Sequence, residues 1–346
     1  QVWTWTPMGP GWTALSFASV AALGAAWVVA SVRRRNALAF ALPMGSLRGK
    51  RVVVTGANTG IGQAVATGFA RAGAERVVLA CRDPAAAEVA RARMTRVTGS
   101  DVIYQLSLDL TSFASVARFA HEYTARHERV DVLVCNAGAM FAERQIAEGM
   151  GGAERTLATN FLGHFALVQH LRPALKASLA SGERPRVVQV GSRLEAAAPA
   201  LVEVRGTTPG LVLDETLAPE NWATFPAYAV SKAAQTAFAL ELHRRWGEEV
   251  VSAVVSPGMV NTGLARFMPP LKRVAAAVLM PLLLRSPEKA AETVLFASTA
   301  PAERIAGVYL RDLQQERPSA QAASEAVGTL IWEDAEHRLR RIAVDQ

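Results

Sequence analysis

The stretch 51–62, RVVVTGANTGIG, constrains this chain more than any other. Val52, Val53, Val54 and Thr55 read as a buried strand, an unbroken run of β-favouring residues. The chain then turns through Gly56, Ala57, Asn58, Thr59 and Gly60 and enters an apolar-periodic helix at Ile61 and Gly62. A strand, a glycine turn and a helix start together make an anion site. The first N–H groups of a helix have no intrahelical partner, and the dipole is positive there. Gly56 permits the tight turn, Gly60 lets the backbone approach a pyrophosphate, and Gly62 lets helix pack on strand. An ordinary glycine-rich turn would look the same, so the rest of the chain must decide.

From Lys50 onward, short apolar runs alternate with helix-like segments. The runs 52–55, 77–80, 102–108, 130–135, 186–190 and 250–255 read as strands, and 112–127 and 154–180 have helical length and spacing. A final strand at 307–310 and a terminal helix at 324–341, with Trp332 on it and Ser324 as its cap, complete the pattern. The expected fold class is α/β: a doubly wound, Rossmann-type parallel sheet of about seven strands with right-handed crossovers. An apolar fraction of 51% against 19% charged residues excludes a disordered chain. Residues 49–346 read as one domain, preceded by 1–48 as membrane anchor and linker.

The anchor rests on 12–32, an uncharged run rich in Ala, Val and Leu. As a helix it would span about 32 Å, the thickness of a hydrocarbon core. Trp3, Trp5 and Trp12 lie at one end and Arg33, Arg34 and Arg35 at the other. The positive-inside bias then puts the domain on the cytosolic side of a single-pass span. A cleaved signal peptide would want its basic residues before the apolar run. The net charge of +7 suits an anionic cofactor or a membrane surface and chooses between neither. No nucleic-acid partner is expected. Cys81 and Cys135 both follow strand-like runs, so a disulfide is not expected, and no CxxC or HExxH spacing supports a metal.

In a doubly wound sheet the ligand lies beyond the carboxyl ends of the strands, so the residues just after each strand matter most. After the second strand come Arg82 and Asp83. An acidic residue there bonds the ribose 2′-OH of NAD, whereas an Arg binds a 2′-phosphate; Arg82 favours NADP(H) over NAD(H), and the adjacent Asp83 opposes that choice. After the third come Asp109, able to accept from an adenine amino group or to cap a helix, and Leu110, which offers its backbone. After the fourth come Asn136, Ala137 and Gly138, whose small side chains leave room for a ribose.

Tyr228 and Lys232 stand four residues apart in YAVSK, and thus on one face of a helix opening at Tyr228 just after Pro226. A phenol titrates at about 10, too high for a base at neutral pH. An ammonium beside it favours the phenolate. Tyr228 could then give or take the proton that accompanies hydride transfer at a carbonyl or alcohol. Ser192, after the fifth strand, can orient the reacting oxygen, or be an ordinary turn serine. Asn160 interrupts the long helix after the fourth strand, as a polar group serving a water chain or as an exposed residue of no consequence.

Together these motifs resemble the short-chain dehydrogenase/reductase family over 50–309: TGANTGIG, the NAG at 136–138, Asn160, Ser192, YAVSK and the PGMVNT at 257–262. Within it, ACRD at 80–83, LDL at 108–110, TNFLGHF at 159–165 and an N-terminal anchor are most similar to the retinol dehydrogenase branch. The resemblance implies an NADP(H)-dependent oxidoreductase acting on a lipophilic alcohol or carbonyl, with Tyr228 as acid/base and Ser192 holding the substrate oxygen. Lys232 would lower the Tyr228 pKa and hold the nicotinamide ribose, and Asn160 would support a proton relay through water and Lys232. It assigns the pyrophosphate to the turn 56–62, the 2′-phosphate to Arg82, the adenine to Asp109 and Leu110, and the adenosine-side ribose to Asn136, Ala137 and Gly138. Pro257, Gly258, Val260 and Thr262 would line the nicotinamide, and two copies would pair through their long helices. Gly191 stands where many members carry a second serine, and Cys135 where an Asn is common. The apolar stretch 265–285, too short and too proline-interrupted to span a bilayer, reads as a lid over the substrate or as a core helix. Other functions compatible with these residues are a non-catalytic NADP-binding scaffold and a reductase of a pigment or fatty-acyl intermediate.

Overall fold

The valines after Lys50 nucleate the sheet. Strand β1, Arg51–Thr55, sends Val53 into the core on one face and Val52 and Val54 into the core on the other. A strand buried on both sides must be apolar throughout, which is why the run is unbroken. The computed structural model describes residues 39–205, 208–211, 213–260 and 284–344, together with Ala30, Arg34 and Ala37. The parallel strands that join β1 are β2 (Arg76–Cys81), β3 (Ile103–Ser107), β4 (Val132–Cys135), β5 (Arg186–Val190), β6 (Val251–Ser256) and β7 (Val308–Arg311). An antiparallel edge strand, β8 (Gln314–Glu316), completes the order β8-β7-β6-β5-β4-β1-β2-β3. The chain reverses direction across the sheet between β1 and β4, and this opens a crevice above their carboxyl ends.

The long helices are α1 (Gly60–Arg71), α2 (Pro84–Thr98), α3 (Phe113–Arg126), α4 (Gly163–Ala177), α5 (Thr224–Trp246), α6 (Pro287–Thr299) and α7 (Glu325–Val344). Helices α1, α2 and α6 cover one face of the sheet, and α3, α4, α5 and α7 the other. On the second face Trp332 of α7 lies edge-on to Phe165 at 5.1 Å and to Trp246 at 5.4 Å, closing the aromatic core over α4 and α5. Ser324 caps α7 by accepting from Val327 N–H at 3.5 Å.

Three features differ from the sequence expectation. Strand β8 was not anticipated. It follows a two-residue turn in which Asp312 and Leu313 both have positive φ, at 52° and 65°. That is the mirror-type hairpin turn, for which the usual signal is Asn-Gly; here Arg285 Nη2 holds Asp312 Oδ2 at 2.9 Å instead. The helix that carries Tyr228 and Lys232 starts at Thr224, not at Tyr228, because a proline in the first turn removes no helical hydrogen bond. The long helix expected at 154–180 is interrupted: a wide π turn spans Ala158–Leu162 before α4 resumes at Gly163.

The link before β1 is packed on the domain. Leu47 is buried, Phe40 lies edge-on to Phe296 of α6 at 5.6 Å, and Ala39 N–H donates to Glu292 at 2.8 Å. The run 12–32, apart from Ala30, and residues 261–283, including Thr262 and most of the 265–285 stretch, lie outside the described residues. Among the described residues no helix is long and apolar enough to cross a membrane.

Gly163 is where α4 crosses the end of β3's loop. A Cβ there would stand 2.7 Å from Leu110 Cβ and 2.9 Å from its Cα, with no flexible atom to yield. Gly163→Ala should therefore lower the unfolding free energy by about 1–3 kcal/mol. Gly99→Ala, at φ +68° with open space around it, should cost only about 1 kcal/mol. Urea denaturation of the two variants makes the comparison.

Candidate active site

The glycine turn is built as its residues require. Gly56 and Gly60 have φ of 62° and 57°, a region that L side chains resist. A Cβ on Gly62 would stand 2.6 Å from Gly56 O and 3.0 Å from Ala57 Cα. This glycine thus packs α1 against the turn itself rather than against the strand. Thr59 precedes α1 without a side-chain cap, so the first N–H groups keep no side-chain acceptor. These positions, with half-buried Asn58 and buried Ile61, fit a pyrophosphate cradle. Asn136 Nδ2 donates to Thr55 O at 2.8 Å and to Gly56 O at 3.3 Å, tying the exit of β4 to the turn, while Ala137 N–H donates to Thr55 Oγ1 at 2.9 Å.

After β2, Asp83 has partners of its own. Its Oδ1 caps α2, accepting from Ala85 and Ala86 N–H at 2.9 and 3.1 Å. Arg82 is exposed beside it at the end of β2. Asp109 Oδ1 accepts from the N–H and hydroxyl of Thr111 at 2.9 and 2.7 Å, and the cap of α3 is Ser112. Leu110 is buried under Gly163. Beyond β6, Pro257 and Gly258 lead to Val260, which pairs with Arg285 in a parallel bridge.

Tyr228 sits in the second turn of α5 and Ser192 two residues past β5, where Ser192 Oγ accepts from Leu194 N–H at 3.2 Å. Burial pushes the phenol above its ordinary value, and the nearby Ser192 hydroxyl opposes that rise. Lys232 lies one turn further along the same helix face. Its Nζ is held by Val190 O and Gln235 Oε1, each at 2.9 Å, and stands 5.8 Å from the centre of the Tyr228 ring. Burial brings Lys232 down to about 7. Gly191 is required beside Ser192: a Cβ there would lie 2.8 Å from Val254 Cγ1.

Asn160 is fully buried, in the π turn. Its Oδ1 accepts from Ala139 N–H at 2.8 Å, and its Nδ2 donates to Ala139 O and Ser231 Oγ, each at 2.9 Å. Ser231 Oγ donates in turn to Tyr228 O at 2.7 Å. Both amide protons are thus committed. The side chain clamps the loop after β4 to α5.

Sequence reasoning passed over His164, Ser231, Gln235 and Gln189. His164 is wholly buried and driven to about 3, hence neutral, by burial. Its Nε2 meets Thr55 Oγ1 at 3.0 Å and its Nδ1 meets Asn160 O at 3.2 Å. The available signal was position: His164 follows Asn160 by one helical turn, and Gln235 follows Lys232 by nearly one.

The fold and the paired Tyr228 and Ser192 beside a glycine turn define a dinucleotide-dependent oxidoreductase. A short chain dehydrogenase family model matches residues 50–205. Mouse (Mus musculus) polyprenol dehydrogenase is 37% identical over 90% of this chain and 91% of its own length. Mouse retinol dehydrogenase 13 is 33% identical over 84% of each. The solved Pseudomonas aeruginosa RhlG/NADP active-site complex superposes with a TM-score of 0.59 at 25% identity, covering 78% of this chain and 97% of that one. The chain belongs to the short-chain dehydrogenase/reductase family, in its retinol dehydrogenase-like branch, whose members are oxidoreductases acting on CH–OH and C=O groups.

Lys232 yields a pH prediction with a definite sign. In the unfolded chain it titrates at about 10.4; in the folded chain it does so at about 7. Between these values the unfolded chain holds the extra proton, so the Lys232 contribution to stability rises with pH from about 7 to about 10 and is least favourable below that window. Urea unfolding of the unliganded protein and of Lys232→Met, compared from pH 7 to 9.5, should show the wild type gaining on the variant. A pH-independent difference would contradict the buried amine.

Proposed function

We propose that the chain is an NADP(H)-dependent oxidoreductase that interconverts a lipophilic alcohol and its carbonyl compound, with Tyr228 as acid/base. The observation that carries this reading is that Ser192, Tyr228 and Lys232 come together at the carboxyl edge of the sheet, with the amine 5.8 Å from the centre of the phenol ring. When bound, the nicotinamide supplies or accepts the hydride. Everything else falls to the chain. Ser192 orients the substrate oxygen. In reduction Tyr228 donates its phenolic proton to that oxygen as the carbon receives hydride; in oxidation it takes the proton back. Charged Lys232 steadies the phenolate that reduction leaves behind.

The cofactor preference follows from Asp83, whose carboxylate is spent on capping α2, which leaves Arg82 to meet a 2′-phosphate. The lipophilic substrate is supported by the rim of the site. Leu194, Phe225 and Met259 are exposed at 41%, 64% and 70%, on the segments that follow Ser192, precede Tyr228 and follow β6. Relatives named for polyprenol and retinol, both long apolar alcohols, agree with that rim. A membrane anchor in 12–32 would bring the site to where such substrates dissolve.

Purified protein should oxidise NADPH when given retinal or a long isoprenoid aldehyde, and Tyr228→Phe should abolish turnover while leaving NADPH binding intact. Arg82→Ala should raise KM for NADPH on the order of tenfold or more and barely change that for NADH. Equal losses with both cofactors would remove Arg82 from phosphate recognition.

A further inference from the structure

Gln235 lies on α5 just beyond Lys232 and is completely buried. Its carbonyl oxygen accepts from Lys232 Nζ at 2.9 Å, and its amide nitrogen donates to Gln189 Oε1 at 2.9 Å. The direction of this chain is dictated by the amine: a protonated lysine can only donate, so Gln235 must present oxygen to it and nitrogen to Gln189. Gln189 is on β5, next to Val190, whose backbone oxygen is the other acceptor for Nζ. Both acceptors are therefore fixed to one strand end, one directly and one through an amide pair. The chain finishes inside the protein. Gln189 Nε2 has no hydrogen-bond partner, and the Gln189 amide lies toward the Cys135 thiol.

Burying two amides in an apolar interior is costly unless they are paired. Here they are paired with each other and with the catalytic lysine, and one donor is still left over. Packing alone would be served better by leucine or methionine. The titratable groups that face Lys232 are Tyr228 on its own helix, Cys135 at the end of β4 and His164 on α4. Of these only Cys135 favours its charge, and by less than burial opposes it. The Cys135 thiol is pushed up by burial and stays protonated, and His164 stays neutral. Among the described residues, Gln235 is the side chain that accepts from the amine.

We propose that Gln235, backed by Gln189, is a positioning residue of the reaction: it aims the Lys232 amine and stabilises its charged form. The proposal rests on the oxidoreductase reading for its catalytic consequence and on the hydrogen-bond chain alone for its effect on Lys232. The test compares wild type, Gln235→Leu and Gln235→Glu by two measurements. One is unfolding stability against pH on the unliganded protein. The other is kcat against pH with NADPH and a lipophilic aldehyde. Removing the acceptor in Gln235→Leu should move the pH at which Lys232-linked stability begins to rise downward and lower kcat at pH 7 on the order of tenfold. The near-isosteric Gln235→Glu keeps an acceptor and adds charge. It should move the same rise upward and keep kcat within a few-fold of wild type. Curves that overlay the wild type in both variants would overturn the proposal, as would an equal kcat loss in both with no movement of either pH profile. Should Gln235→Leu fail to fold, Gln235→Glu decides alone, and an unmoved stability rise overturns it. The stability measurement needs neither cofactor nor substrate. A wild type that turns nothing over would thus sink the oxidoreductase reading and leave the hydrogen-bond chain to be judged by unfolding.

Discussion

A lysine amine enclosed in the protein interior must be satisfied or be neutralised, and the centre of this molecule is arranged around that demand. Lys232 is 2% exposed. Its partners are a strand-end carbonyl at Val190 and an amide at Gln235 that leans on Gln189. Neither partner carries a formal charge, so burial prevails and the amine titrates far below an exposed lysine. That places its charge change near neutrality, where a small change in its surroundings can alter its protonation. The same burial raises the Tyr228 phenol. The two groups expected to assist each other directly are thus both set first by enclosure.

A second polar seam runs across the carboxyl edge of the sheet and joins the glycine turn to the catalytic helix. Thr55, the last residue of β1, receives the Ala137 N–H and meets neutral His164, which in turn holds the Asn160 backbone carbonyl. The Asn160 side chain reaches the loop after β4 and, through Ser231, the backbone of Tyr228. Each buried group finds a partner, so the seam can be rigid. It gives the glycine turn and Tyr228 a common frame, and it explains why an asparagine sits in a helix: the π turn offsets the backbone and leaves room for the clamp.

Much of this was legible in the residues. The strand runs, the glycine turn and the positions just after each strand follow from local rules: β-branched residues in unbroken runs, glycine where φ is positive, and small residues where backbones meet. The turn at Asp312 and Leu313 left no trace because its positive φ falls on two residues other than glycine. Asp83 was ambiguous for a related reason. A carboxylate after a strand can meet a ribose or cap the next helix, and only the placed backbone N–H groups of Ala85 and Ala86 decide.

The chain by itself determined the fold class, the anion-binding turn, and which tyrosine, serine, lysine and asparagine would gather at one sheet edge, because strand order and helical period bring those positions together whatever surrounds them. The tertiary structure decided what each of them does there. That Lys232 bonds to Gln235 and Val190, that Asn160 spends its amide on a clamp, and that His164 is neutral all depend on burial and on hydrogen-bond partners distant along the chain. Those quantities belong to the packed interior, where the penalty for an unpaired polar group is largest, and no local pattern of residues encodes them.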